Sequence, residues 1–206
     1  MDIVIIRHGQ SEADLLGVHE GRADFSLTDL GREQAALMAE KVTKRFSPNK
    51  IWASPLKRAH ETASILSQKC GVPLLLEDDL MEYNNGVLAG LPREVAAQKY
   101  PLPPGGRLPH EAIEAGESVL DFRLRVERVF SKIIAESGNA PRIAIVAHGG
   151  TISNILKSFL KLPPITEYGF STGDTGIHYL RITDNNRLIL WLNNTEHLVD
   201  LQKDEV

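Results

Sequence analysis

Two histidines occupy equivalent places in two similar stretches, Ile3-Val4-Ile5-Ile6-Arg7-His8-Gly9 and Ile143-Ala144-Ile145-Val146-Ala147-His148-Gly149. Each imidazole ends an apolar run, and each is followed by a glycine that permits a tight turn and close approach of backbone to a ligand. A neutral imidazole can act as a nucleophile or as a hydrogen-bond donor near neutral pH. Arg7, beside His8, and Arg58 add two guanidiniums, whose forked donors match a tetrahedral anion. Gathered at one point, these four groups would form a donor-rich cage suited to phosphate. Glu82, within Leu80-Met81-Glu82-Tyr83, is a candidate proton donor and acceptor, with Glu77, Asp78 and Asp79 as nearby rivals. A nucleophile, a cationic cradle and a carboxylic acid suffice to move a phosphoryl group without a metal ion.

Such a cage needs elements that bring distant residues to one edge. Ile3 to Ile6 and Arg142 to Ala147 are short apolar runs rich in branched side chains, which predict strands buried on both faces of a parallel sheet. A polar loop is expected from Gly9 to about Ser26, then a helix opened by Thr28, with Ala35, Met38, Ala39, Val42 and Phe46 at helical spacing. Lys50 to Ala53 reads as a strand, and Ser54-Pro55 as a helix N-cap followed by proline at the first helical position. A further strand is expected at Pro73 to Leu76 and a helix from Glu117 to near Gly138. Another helix follows His148, and a terminal hairpin joins Thr175–Ile182 to Arg187–Leu192 through Asp184-Asn185-Asn186. Alternating strands and helices imply a three-layer α/β/α domain with a mostly parallel central sheet, single over 1–206. The proline- and glycine-rich stretch at about 78–116 is expected to be an inserted, substrate-facing segment, with a short helix from Arg93 to Lys99. In such sheets ligands bind beyond the carboxyl ends of the strands, where His8 and His148 fall, and Arg58 lies in the first turn of a helix on the same rim.

Composition narrows the partners. Of 206 residues, 42% are hydrophobic and 24% charged, as in an ordinary globular protein. The formal net charge of −4 supplies no global basic field for nucleic acid or an anionic membrane surface. Cys70, the single cysteine, can form neither an intrachain disulfide nor a thiolate cluster, and suits a reducing compartment. No apolar run is long enough for a signal segment or a span, so a cytoplasmic location is expected. His19, His60, His110, His178 and His197 show no paired metal-ligand spacing. No metal or other cofactor is expected.

Five signatures in order carry a resemblance: Arg7-His8-Gly9-Gln10-Ser11-Glu12; Leu27-Thr28-Asp29-Leu30-Gly31; Ser54-Pro55-Leu56-Lys57-Arg58-Ala59 with Glu61-Thr62-Ala63; Glu82 with Gly86 and Gly90; and Val146-Ala147-His148-Gly149-Gly150-Thr151. Over roughly residues 1–160 the chain resembles the histidine phosphatase superfamily, in its phosphoglycerate mutase-like branch. The resemblance implies a phosphoglycerate mutase-like fold. It further implies that His8 accepts the phosphoryl group, that Arg7, Arg58 and His148 hold its oxygens, and that Glu82 protonates the leaving oxygen and then activates water. Ser11, Asp14, Gly21 and Gly149 are the expected substrate-binding residues. The short span from Glu82 to His148 favours hydrolysis of small phosphomonoesters over a cofactor-dependent phosphoglycerate mutase. A non-catalytic phosphate-binding or scaffold protein is the alternative of another class. The expected partner is a small phosphorylated metabolite, with a homodimer left open.

Two positions depart from the family pattern. Asp14 stands where the family often has an asparagine contacting phosphate, which places a negative charge beside a dianion. Ala89 replaces a common acidic residue. Taken singly, Arg58 and Glu82 would read as solvated side chains, and an isolated Arg-His-Gly would occur by composition in about one chain in a hundred of this size. Their order along the chain carries the reading.

Overall fold

The computed structural model describes residues 1–199 and 201, so positions 200 and 202–206 of the expected 1–206 domain lie outside the described residues. The order is β1 (Asp2–Arg7), α1 (Glu12–Leu16), α2 (Asp29–Arg45), β2 (Lys50–Ala53), α3 (Lys57–Cys70), β3 (Leu74–Leu76), α4 (Arg93–Lys99), α5 (Val119–Ser137), β4 (Arg142–Ala147), α6 (Gly149–Phe159), β5 (Ile177–Ile182) and β6 (Arg187–Asn194). The strands form one six-stranded sheet in the order β3-β2-β4-β1-β5-β6. The β2–β3, β2–β4 and β1–β4 pairs are parallel, and the hairpin strand β5 lies antiparallel to β1.

Alternation along the strands builds a core on each face. Ile3, Ile5, Ile143 and Ile145 pack under α5 and α6 with Val126, Ile133, Ile152 and Phe159. Val4, Ile6, Ala144 and Val146 turn the other way, against Met38, Val42, Ala63 and Leu66 of α2 and α3. Both faces are dry, so each strand reads as a continuous apolar run. Each fully buried branched side chain contributes about 1.5–3 kcal/mol relative to exposure. The three-layer expectation is met.

Three local expectations need correction. The Gly9 to Ser26 stretch is not all loop, because Glu12–Leu16 forms a short helix whose Asp14 carboxylate accepts from the Ser11 amide. Helix α3 starts at Lys57 with Leu56 at its cap, while Ser54 Oγ accepts from the Leu56 amide ahead of the helix and meets His148 Nε2. The glycine after His8 serves packing: a Cβ on Gly9 would stand 2.4 Å from the Gly31 carbonyl oxygen in the first turn of α2. The short helix α4 at Arg93–Lys99 and the terminal hairpin appear as expected.

Candidate active site

Parallel pairing of β1 with β4 aligns Arg7 with Ala147, so His8 and His148 leave the sheet side by side. Their ring centroids are 5.1 Å apart, and both residues are buried. His8 Nδ1 lies 2.8 Å from the carbonyl oxygen of Gly9, to which it donates. The proton is thereby held on Nδ1, leaving the Nε2 lone pair facing the site. Burial, reinforced by the positive charges of Arg58 and Arg7, holds the His8 pKa well below the ordinary histidine value. A buried neutral imidazole with an unprotonated Nε2 is in the form a nucleophile needs.

Arg58 is fully buried, and its fork is satisfied by the loop that follows α1. Nη1 donates to the Ala23 carbonyl at 2.9 Å, Nη2 to the Gly21 carbonyl at 2.8 Å, and Nε to His8 Nε2 at 3.2 Å. Arg7 donates through Nη1 to the Thr172 carbonyl at 2.7 Å and lies 3.5 Å from Asp174, while its Nε is buried without a protein partner.

His148 Nε2 is 2.8 Å from Ser54 Oγ, at the end of β2. Ser54 Oγ accepts from the Leu56 amide and can donate its own proton to His148 Nε2, an arrangement that puts the ring proton on Nδ1. That Nδ1 is buried without a protein partner. Leaving a buried donor unpaired costs about 1–3 kcal/mol, so His148 Nδ1 and Arg7 Nε mark where an acceptor-rich ligand fits. Burial and the neighbouring Arg58 also hold His148 neutral.

Glu82 reaches the opposite side of this cage at the start of α6. Its Oε2 accepts from the Gly150 amide and its Oε1 from the Tyr83 amide, both at 2.8 Å. A helix N-terminus suits a carboxylate there. Gly150 is needed for that approach, since a Cβ on it would lie 2.5 Å from Glu82 Oε1. The segment bearing Glu82 is clamped by Arg125 of α5, which donates to the carbonyls of Asp79, Met81 and Glu82 and to both carboxylate oxygens of Glu117. Nothing in the helical stripe of α5 distinguishes Arg125 from a solvated cation, and Ser54 reads locally as a cap.

The expected substrate-binding residues are placed less uniformly. Ser11 is buried and its hydroxyl donates to Glu20 and to Asp14. The Asp14 carboxylate is turned to the Ser11 amide and hydroxyl, so it acts in the loop's own hydrogen bonding rather than as a bare charge on the anion. Gly21 holds Arg58 through its carbonyl, and its backbone, at φ +50°, lies where a Cβ would collide with Asn85. Gly149 opens α6 beside His148. Glu20 was not among the expected residues. Its side chain lies 3.2 Å from Arg58 Nε and 3.9 Å from His8 Nε2, in a polar loop with no periodicity to single it out. Among the described residues, no group of three or more His, Cys, Asp or Glu side chains is placed to hold a metal ion.

Comparison with known proteins agrees with this geometry. The profile of the histidine phosphatase superfamily (branch 1) matches residues 3–195. A glucosyl-3-phosphoglycerate phosphatase of Mycobacterium tuberculosis is 34% identical over 173 residues, covering 78% of this chain and 76% of the relative. A metal-independent phosphoserine phosphatase of Arabidopsis thaliana is 25% identical over 212 residues, covering 96% and 83%. The structure of the α-ribazole phosphatase from Shigella flexneri superposes with a TM-score of 0.85 at 25% identity, covering 95% of this chain and 97% of that one.

Proposed function

Because the chain belongs to the histidine phosphatase superfamily, branch 1, we propose that it is a metal-independent phosphatase that hydrolyses small phosphomonoesters through a phosphohistidine on His8. The observation that carries this reading is the His8 ring, with Nδ1 committed to the Gly9 carbonyl and Nε2 facing the guanidinium of Arg58. In the first step Nε2 attacks phosphorus and the bond to the ester oxygen breaks. Arg7, Arg58 and His148 Nδ1 stabilise the charge on the phosphoryl oxygens. Glu82, in its protonated form, gives its proton to the departing alkoxide. In the second step the Glu82 carboxylate takes a proton from water, which attacks the phosphohistidine and releases inorganic phosphate. The donors are side chains, which is why no metal is assigned a step, and a metal-independent phosphoserine phosphatase among the relatives agrees with that assignment.

The substrate is assigned as a small phosphorylated metabolite whose alcohol portion meets the segment at about 78–116. With one thiol, Cys70, the chain suits a reducing cytoplasm. No helix among the described residues is long and apolar enough to cross a membrane.

Phosphate release from a panel of phosphorylated metabolites and an aryl phosphate, measured with EDTA present, tests the reading. Release is expected from the intact protein and not from His8→Ala, and acid-labile phosphate should be trapped only on the former. Isomerisation of 3-phosphoglycerate without release would indicate a mutase, and anion binding without turnover a scaffold. Trapped phosphoenzyme in His8→Ala would remove His8 from the nucleophile's role.

A further inference from the structure

The loop after α1 puts a carboxyl group where the phosphoryl group has to arrive. Glu20 Oε1 is anchored by the Ser11 hydroxyl and lies 3.2 Å from Arg58 Nε. Its Oε2 has no hydrogen-bond partner among the described residues and stands 3.9 Å from His8 Nε2. A phosphorus atom in line with Nε2 sits about 3–3.5 Å from it, in the space that Oε2 borders. Two anions in such contact repel strongly where little water screens them. A proton between them replaces that repulsion with a charge-assisted hydrogen bond.

Resting on the phosphatase reading, we propose that Glu20 binds the phosphoryl group directly as a neutral acid, donating from Oε2 to a phosphoryl oxygen, so that the anion and one proton enter the site together. The charged and titratable groups facing Glu20 are Arg58 from α3, His8 and Arg7 from the end of β1, and Asp14 from α1. Burial raises the Glu20 pKa, Arg58 and Ser11 oppose it, and the Asp14 carboxylate adds to the rise. Burial and Asp14 thus shift the carboxyl in the direction that a bound anion would carry further. His8 is an unsuitable home for the proton, because protonated Nε2 could not attack. Glu20 therefore lets the site accept a proton while the nucleophile stays free.

Titration calorimetry with tungstate, a tetrahedral dianion carrying no titratable proton near neutrality, tests this in two buffers of different ionisation enthalpy at pH 7.5. The intact protein is expected to take up about one proton per anion, and Glu20→Gln to bind tungstate with almost no uptake. Glu20→Ala, which removes both the proton and the amide, should match Glu20→Gln in uptake. In kinetics on an aryl phosphate, the ratio of kcat/KM for Glu20→Gln to that of the intact protein should rise about tenfold per pH unit above the carboxyl's apparent pKa. No uptake by the intact protein overturns the proposal, as does uptake of about one proton by either variant, which would place the proton on His8 or His148. Proton-linked tungstate binding without hydrolysis of any phosphomonoester would leave Glu20 standing and remove the phosphatase reading instead.

Discussion

At the scale of single residues, the site is governed by which nitrogen or oxygen carries a proton. His8 is fixed by its neighbour's carbonyl and His148 by Ser54, so each ring has one committed nitrogen and one turned to the ligand. Glu82 is held by two amides, and in the proposed mechanism it gives up a proton as the alcohol departs. Glu82→Gln should therefore lose about 10²–10³-fold in kcat on an alkyl phosphate and far less on an aryl phosphate, whose leaving oxygen needs little protonation. Equal losses on both substrates would assign the acid elsewhere. Gly150→Ala should reproduce the same leaving-group dependence, because its Cβ would occupy the space of Glu82 Oε1. His8, His148, Arg7, Arg58 and Glu82 were all legible in the sequence, because each sits in a short local signature. Glu20 and Arg125 were not, since what marks them is a partner far away along the chain.

At the scale of elements, three strand ends and two excursions share the work. The loop after α1 is closed at its base by pairing of Ser11 with Leu27 and tied to the later insertion by pairing of Val18 with Pro92. Arg58 then holds it from below through two carbonyls. The insertion is held in turn by Arg125, a guanidinium from α5 that reaches three of its carbonyls and Glu117. Arg125→Met should cost about 1–3 kcal/mol, because it strips three carbonyls of a donor and leaves Glu117 only the more distant Arg22 as a cation, and a fall in Tm would read that cost. As a positioning residue it should also depress turnover of alkyl phosphates more than aryl phosphates. Arg125→Lys should restore little, since a single ammonium cannot span acceptors arranged for a fork. A uniform loss on both substrates would make Arg125 a stabilising residue only.

For the whole molecule, the buried histidines set the response to acid. His178 is buried behind Arg7, with Nε2 donating to Thr172 Oγ1 and Nδ1 accepting from the Asn193 amide, and burial lowers its pKa to about 4. His197 is lowered to about 4 as well, and burial holds His8 and His148 well below the ordinary histidine value. The unfolded chain binds protons on these rings below about pH 6.5, and the native one does not. Stability is therefore insensitive to these groups above that pH and falls as pH drops toward 4, by up to about 1.4 kcal/mol per pH unit for each ring. Urea unfolding between pH 6.5 and 4.5 should show this slope, and His178→Gln should reduce it by about one proton. An unchanged slope would mean that His178 is protonated in the native state. By itself the sequence determined the three-layer α/β plan, the strand ends that carry the histidines, and the family to which the chain belongs. Each of these rests on local pattern: apolar runs, caps and short motifs. Only the tertiary structure decided that β4 lies between β1 and β2, and so that His8 meets His148 and Ser54. It alone also decided that the Glu20 carboxyl faces His8, because contacts between residues far apart in the chain are set by packing and burial, which leave no periodic trace in the residues they join.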